Sequence, residues 1–234
     1  MKTAIAILLA GFFGLACGSY AQRHSDSIYK AIGVDRTQKY LAAYNIKPRD
    51  TIFQTFSPHA DVVMVGDSQT HAAEWGEIFP DVRIANRGVG GDRSDDVLRR
   101  MDTVLSVNPK AAFISLGFND ISIKVPTAKI VENYKGIIAT LKANGVTTYV
   151  QSTIECSRSA CGALLDRVRE LNTALTQFCK KEGVSFIDIN SGITSKDGLD
   201  PQYTYDGIHL LGPAYVKWRD KIAPYIETVH ATKT

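Results

Sequence analysis

The chain has 234 residues, of which 44% are hydrophobic and 22% are charged. This composition predicts one globular domain with a sizeable core and argues against a disordered chain or a multi-domain array. The full sequence carries a net charge of +3, and removal of residues 1–21 with Lys2 brings the charge closer to zero. Nothing in this charge indicates a protein that binds nucleic acid.

The N-terminal segment, residues 1–21, is predicted to be a secretory signal peptide. Lys2 precedes a short apolar run, and small residues follow it up to Ala21. This order is typical of a cleaved signal, and the run is too short for a stable membrane span. We therefore expect cleavage after Ala21 and export to the periplasm or the medium. A lipid anchor on Cys17 is the weaker alternative, because the leucine of a lipobox is displaced by one position.

The predicted domain occupies residues 59–234, and the polar, loosely helical residues 22–58 are predicted to form an N-terminal helical extension that packs on it. Within the domain, short apolar runs alternate with segments of helical periodicity. The runs read DVVMVG, VRIAN, AAFISLG, TTYVQST and VSFIDI. Such alternation is typical of βαβ units. The sequence therefore predicts an α/β fold, a three-layer α/β/α sandwich around a central, mostly parallel sheet of five strands.

Three helices are predicted from apolar residues at helical spacing, and their apolar stripes are expected to pack against the sheet. The stripes consist of Val97, Leu98, Met101, Val104 and Leu105, of Ile130, Tyr134, Ile137, Ile138 and Leu141, and of Leu164, Val168, Leu171, Leu175 and Phe178. In open α/β sheets, functional groups collect at the carboxyl ends of the strands. The residues that directly follow each strand are therefore the candidates for chemistry.

The first strand is followed by Gly66, Asp67 and Ser68. A glycine permits a tight exit from the strand, which would place Ser68 at the start of a helix with its N–H among the unpaired donors of the first turn. Taken alone, a serine at this position is more often a helix cap.

The second strand is followed by the sequence NRGVGGD at residues 86–92. Asp92 is predicted to cap the first amphipathic helix, and the glycines would allow backbone N–H groups to approach a ligand closely. The spacing Gly-x-Gly-x-x-Gly of a dinucleotide-binding loop is absent. A nucleotide site is therefore disfavoured.

Two further segments carry polar groups that suit ester chemistry. Asn119 follows the third strand and offers an uncharged N–H donor, which suits a developing oxyanion, although Asn and Asp also form turns. Asp206 stands three residues before His209, where its carboxylate could fix and stabilise the imidazole. In isolation, an Asp-Gly turn and a structural histidine would explain that pair. The four features together, in this order at strand ends, point to a catalytic site.

The cysteines that follow the signal segment indicate one disulfide and one buried thiol. Cys156 and Cys161 bracket the polar loop CSRSAC, which an oxidising compartment could close into a disulfide. Cys179 falls in an apolar helical stripe and is predicted to be a buried thiol. A zinc site is disfavoured, because the sequence has no Cys-x-x-Cys pair and no histidine cluster beside these residues.

These blocks resemble the SGNH, or GDSL-type, hydrolases, which share a Ser in Gly-Asp-Ser, a Gly, an Asn in Gly-x-Asn-Asp and an Asp-x-x-His. The resemblance covers about residues 61–226 and implies a flavodoxin-like fold. It implies Ser68 as the nucleophile, His209 as the general base and Asp206 as the carboxylate that orients it. It also implies an oxyanion hole built from the N–H of Ser68, the N–H of Gly91 and the side-chain amide of Asn119, with no metal or other cofactor. Gly91 is preferred over its neighbour because the family pattern places the donor glycine directly before an aspartate.

One position departs from the family pattern, since Gln69 follows Gly-Asp-Ser where the family has leucine. This change is expected to alter the wall of the acyl pocket and to leave the nucleophile in place. The segment NRGVGGDRSDDVLRRM is most similar to a group that contains bacterial lysophospholipase-like esterases and the catalytic subunits of platelet-activating-factor acetylhydrolase. A Gly-x-Ser-x-Gly elbow is absent, which argues against the ordinary α/β-hydrolase fold.

The sequence therefore predicts an exported serine esterase that forms an acyl-enzyme on Ser68. The expected substrate is a small-molecule ester with a short acyl or acetyl group, carried by a carbohydrate or a lysophospholipid. Two alternatives remain open at this stage. The first is a metal-dependent phosphoesterase, whose cation would be held by Asp67, Asp92, Asp120 and Asp206. The second is a non-catalytic secreted protein that binds carbohydrate. The sequence does not indicate an oligomeric state.

Overall fold

A computed structural model describes residues 47–231, so the predicted signal peptide and most of the predicted N-terminal extension lie outside the described residues. The chain divides into two units between Ser57 and Pro58. The described part of the first unit contains helix α1 (Pro48–Thr55), where proline suits the first position because that position needs no backbone hydrogen bond. Within residues 47–231, no helix is long and apolar enough to cross a membrane.

Five parallel strands form the central sheet of the second unit, in the order β2-β1-β3-β4-β5. They are β1 (Val62–Gly66), β2 (Ile84–Gly88), β3 (Ala111–Ser115), β4 (Thr147–Gln151) and β5 (Ser185–Ile187). All residues of β1 and β3 are buried, because helices cover both faces of a parallel sheet. The predicted α/β fold with a five-stranded parallel sheet is confirmed.

Nine helices of the second unit lie between and after the strands in the described range. They are α2 (Ser68–Ala72), α3 (Trp75–Ile78), α4 (Ser94–Arg99), α5 (Met101–Leu105), α6 (Phe118–Ser122), α7 (Thr127–Ala143), α8 (Arg158–Cys161), α9 (Leu164–Glu182) and α10 (Gly212–Ala231). A short antiparallel pair, β6 (Thr194–Ser195) and β7 (Gly198–Leu199), and a 3₁₀ turn at Pro201–Tyr203 precede α10. The sequence patterns did not predict these last three elements.

The core has two apolar clusters, one on each face of the sheet. Side chains alternate along a strand, so that Val63 and Val65 of β1 join one cluster while Val62 and Met64 join the other. The first cluster takes in the buried faces of α4, α5, α7 and α9, and the second takes in α3 and α10. The resulting arrangement is the predicted α/β/α sandwich.

The first predicted amphipathic helix differs from expectation, because Arg100 interrupts it between α4 and α5. The Arg100 backbone leaves the helical region at φ −107° and ψ 26°. Its buried guanidinium donates to the Asp92 carboxylate at 2.8 Å and to the Arg87 carbonyl at 2.8 Å. The predicted cap at Asp92 is also wrong. Arg93 holds the cap position of α4, and the Asp92 carboxylate pairs with Arg100 instead.

The strand order fixes where the loops diverge. The chain runs from β1 outward to β2 and then returns across β1 to β3, so the direction of winding reverses between β1 and β3. In such sheets, the loops after the two strands at the reversal point separate and leave a crevice at the carboxyl edge. Ser68 begins the helix that follows β1, and Asn119 lies at the start of the helix that follows β3.

Candidate active site

The exit from β1 holds Ser68 at the first position of α2. Asp67 is the non-helical cap residue of that helix, and its carboxylate accepts from the Gln69 N–H at 3.1 Å. A Cβ atom at Gly66 would overlap the Thr70 hydroxyl and lie 2.7 Å from the Ser115 carbonyl oxygen. Only glycine therefore allows α2 to begin this close to β1 and β3, which explains why the apolar strand ends there.

The hydroxyl of Ser68 lies beside a histidine and carboxylate pair from the far end of the chain. Ser68 Oγ is 3.2 Å from His209 Nε2, and His209 Nδ1 is 2.7 Å from Asp206 Oδ2. The second oxygen of Asp206 accepts from the backbone N–H groups of Ile208 and His209 at 2.8 and 2.7 Å. The three predicted residues thus form a continuous chain of hydrogen bonds, in the arrangement that activates a serine hydroxyl.

Asp206 remains ionised over a wide pH range. Partial burial acts to raise its pKa, but the hydrogen bonds from the His209 ring and from the His209 and Ile208 N–H groups together lower the pKa to about 2. A permanent negative charge at 2.7 Å favours the imidazolium that forms when His209 accepts a proton. The ring of Tyr205 stacks on His209 with centroids 5.8 Å apart, and this tyrosine is 68% exposed.

The side chain of Asn119 reaches a cavity beside Ser68 from the start of α6. One N–H of its amide donates to the Asp92 carbonyl at 2.9 Å, which fixes the orientation of the side chain. An amide carries two such donors, so the second remains available for an oxygen bound in the cavity. Asn119 and Ser68 both line this cavity.

Gly91 lies in the adjacent turn and is not one of the described residues that line the cavity. The turn closes with the N–H of Asp92 donating to the Val89 carbonyl at 3.1 Å, and Gly91 has the positive φ of 73° that a type II turn requires at its third residue. The hydrogen bond from Asn119 to the Asp92 carbonyl joins this turn to α6. The structure therefore brings Gly91 next to the site but does not show its N–H facing Ser68.

The cavity is small, with a volume of about 110 Å³. Pockets for drug-sized ligands span roughly 300–1,000 Å³, so this space suits a short acyl group. Its walls include Ser68, Asn119, Thr153, Ile154, Cys156 and His209. Cys156 is joined to Cys161 by a disulfide that spans α8, and the neighbouring Ser157 N–H donates to the Gly207 carbonyl at 2.7 Å. The loop that carries this disulfide therefore supports the loop that carries Asp206 and His209.

Asp120 has a structural role that the sequence did not indicate. Its carboxylate accepts from the Ser94 N–H at 2.9 Å and from the Ser94 hydroxyl at 2.6 Å. These two hydrogen bonds connect α6, which carries Asn119, to the start of α4. Burial raises the pKa of Asp120, and the hydrogen bonds from Ser94 oppose this rise. Only the spatial position of Ser94, set by the packing of α4, reveals this contact.

The carboxylates proposed for a metal site are engaged separately. Asp92 pairs with Arg100, Asp120 with Ser94 and Asp206 with His209. Burial raises the pKa of Asp67 to about 6, and the Gln69 N–H partly opposes that effect. Within residues 47–231, no group of three or more His, Cys, Asp or Glu side chains is placed to hold a metal ion. Cys179 is buried, and burial raises the pKa of its thiol to about 11.

Comparison with known proteins assigns the family. Residues 62–215 match the model of the GDSL-like Lipase/Acylhydrolase family, which covers β1 to the first turn of α10. The chain belongs to this family. The resemblance drawn from the sequence blocks is confirmed.

Curated relatives of this chain include proteins of two kinds. The alpha2 subunit of platelet-activating factor acetylhydrolase IB from Rattus norvegicus is 27% identical over 67% of this chain and 72% of its own length. The N-acylneuraminate cytidylyltransferase of Streptococcus agalactiae is 24% identical over 66% of this chain. The match spans only 36% of that second relative's length.

Several solved structures share the fold of this chain. A Bacteroides fragilis protein assigned as an acylhydrolase superposes with a TM-score of 0.70 at 23% identity, over 79% of this chain and 97% of the other. The lipase/acylhydrolase of Enterococcus faecalis gives a TM-score of 0.64 at 21% identity, over 71% of this chain and 95% of the other. At these identities the likeness concerns the fold alone.

Proposed function

We propose that this acylhydrolase cleaves carboxylic esters of short acyl groups, acetyl above all, through an acyl-enzyme on Ser68. The observation that carries the proposal is the hydrogen-bonded chain of Ser68, His209 and Asp206, with distances of 3.2 and 2.7 Å, at the mouth of a cavity of about 110 Å³. The acyl carrier is proposed to be a carbohydrate or a lysophospholipid. The curated relative named as an acetylhydrolase supports the choice of acetyl.

The reaction follows from the placement of the hydrogen-bonding groups. His209 Nε2 removes the proton of Ser68 Oγ as that oxygen bonds to the ester carbonyl carbon. The oxyanion that forms accepts from the Ser68 N–H and from the second N–H of Asn119, and the family pattern implies the N–H of Gly91 as a third donor. The imidazolium then protonates the departing alcohol, and the acyl group remains on Ser68. Water, deprotonated by His209, releases the carboxylic acid and restores the serine.

Export is proposed alongside this activity. The residues that would direct it, 1–21, lie outside the described part of the chain. The disulfide between Cys156 and Cys161 supports the proposal, because disulfides persist in oxidising compartments outside the cytosol. Secretion of the full-length chain with loss of its first 21 residues, measured by N-terminal sequencing, would bear this out. Retention of residues 1–21 on the mature protein would count against it.

Hydrolysis of p-nitrophenyl esters tests the proposed activity. The chain from Gln22 should cleave the acetate fastest, the butyrate more slowly and the octanoate slowest, since the cavity is small. Ser68→Ala should lose the activity, whereas Ser191→Ala, a change at an exposed serine, should keep it. Equal rates in the wild-type protein and Ser68→Ala, or loss of activity with EDTA, would contradict the serine mechanism.

A further inference from the structure

The side chain of Gln69 connects the helix that carries the nucleophile to the loop that carries the general base. Its Nε2 donates to the Ile208 carbonyl at 2.5 Å, and its Oε1 accepts from the Leu210 N–H at 3.2 Å. Ile208 and Leu210 are the two chain neighbours of His209, and Gln69 is the chain neighbour of Ser68. One primary amide therefore binds the backbone on both sides of the base.

The requirement for glutamine follows from the chemistry of these two contacts. The Ile208 carbonyl needs a donor and the Leu210 N–H needs an acceptor, and a primary amide supplies both from a single group. Leucine, which the family pattern has at this position, supplies neither. Gln69 is 8% exposed, so water does not readily replace these hydrogen bonds. The Tyr215 hydroxyl also donates to the Gln69 carbonyl at 2.9 Å, which anchors the main chain of this residue to α10.

His209 depends on such external contacts because much of its support is internal to its own loop. Asp206 binds its ring and its N–H, and the Thr204 hydroxyl donates to its carbonyl at 2.6 Å. These contacts hold the loop together but do not set its distance from α2. The His209 side chain is 37% exposed, so packing restrains it only in part. Gln69 supplies a direct side-chain link from α2 to this loop.

We propose that Gln69 is a positioning residue that holds His209 Nε2 within hydrogen-bond distance of Ser68 Oγ. This proposal rests on the serine esterase function stated above. Gln69 acts through the backbone on either side of His209, because the two polar ends of its side chain bind the Ile208 carbonyl and the Leu210 N–H. Loss of the amide should let the loop shift relative to α2 and should lengthen the contact between the base and the nucleophile. A misplacement of about 1 Å lowers catalytic rates by up to about 100-fold.

Three substitutions test whether Gln69 positions His209 or only stabilises the fold. Gln69→Met keeps the length and loses both hydrogen bonds, and Gln69→Glu keeps an acceptor for Leu210 but loses the donor to Ile208. Gln177→Met, a matched change on the exposed surface of α9, is the control. On p-nitrophenyl acetate, kcat should fall about 10- to 100-fold in Gln69→Met and at least as far in Gln69→Glu, whose carboxylate would face the Ile208 carbonyl oxygen, with KM nearly unchanged. Circular dichroism and the melting temperature report whether each variant folds.

A second readout does not depend on turnover. In protein labelled with isotopic histidine, the ring signals of His209 should be sharp in the wild type and broadened or shifted in Gln69→Met, with Gln177→Met unchanged. In one outcome, the wild type is active, and Gln69→Met folds and keeps both the wild-type kcat and the wild-type His209 signals. The positioning proposal is then wrong, while the esterase function stands. Gln69 also lines the cavity, so a rise in KM alone would show that it acts on substrate binding and would overturn the proposal. If the wild type cleaves no ester, the proposed function fails, and the His209 signals still decide whether Gln69 restrains the ring.

Discussion

At the scale of single residues, the site depends on polar groups that have more than one partner. Asn119 donates one amide hydrogen to the Asp92 carbonyl, and its other amide hydrogen is available to a group bound in the cavity. Asp206 uses one oxygen for two backbone N–H groups and the other for the His209 ring. Each side chain is thereby held in place before a substrate arrives, which is the condition for strong stabilisation of a transition state.

Replacement of Asn119 by alanine should lower kcat for p-nitrophenyl acetate by about 100- to 1,000-fold, because loss of one oxyanion donor costs roughly 3–4 kcal/mol of barrier. Steady-state kinetics would measure the change. Asn144→Ala is the matched control, since the Asn144 amide also donates to a backbone carbonyl, at 2.8 Å, but at an exposed helix end. Full activity in folded Asn119→Ala would remove this residue from the oxyanion hole.

At the scale of secondary structure, apolar runs predicted the five strands of the sheet, and helical spacing predicted α7, α9 and the region of α4 and α5, because burial leaves a clear pattern. The same spacing missed the break at Arg100, since a buried arginine that pairs with Asp92 leaves no periodic signal. Asp67 caps α2 although its carboxylate is buried, so two opposing effects act on its ionisation. Its capping hydrogen bond favours ionisation and its burial opposes it.

The pKa of Asp67, raised by burial from 3.8 to about 6, makes stability depend on pH. The folded state binds the proton of Asp67 more tightly than the unfolded state does. The resulting contribution to the free energy of unfolding is complete below about pH 4 and is lost as the pH rises through about 6. Asp67→Asn stays neutral and can still cap α2. Its free energy of unfolding should match the wild type near pH 4 and exceed it above pH 6 by at most about 3 kcal/mol.

Urea denaturation across this pH range, with Asp81→Asn as an exposed control, would measure the difference between Asp67→Asn and the wild type. A difference that stays constant with pH would show that burial does not raise the pKa of Asp67. A variant that is less stable than the wild type above pH 6 would show that the carboxylate stabilises the fold through its charge.

At the scale of the whole molecule, the reversal of strand order between β1 and β3 opens the crevice, and the loop before α10 places His209 beside Ser68. The sequence blocks predicted Ser68, Asn119, Asp206 and His209 as site residues because each directly follows a strand or forms a short local motif. They could not identify the contacts of Gln69 with Ile208 or of Asp120 with Ser94, since these residues are distant in sequence. Such contacts depend on how whole elements pack.

Covalent labelling with a fluorophosphonate tests whether Ser68 is the nucleophile. The reagent should add to one residue, mapped by peptide mass spectrometry to Ser68, and activity should fall in proportion to the labelled fraction. His209→Ala should slow the labelling, and Ser68→Ala should abolish it. Full inhibition with the label on another residue, or unchanged turnover by enzyme labelled completely at Ser68, would contradict the account.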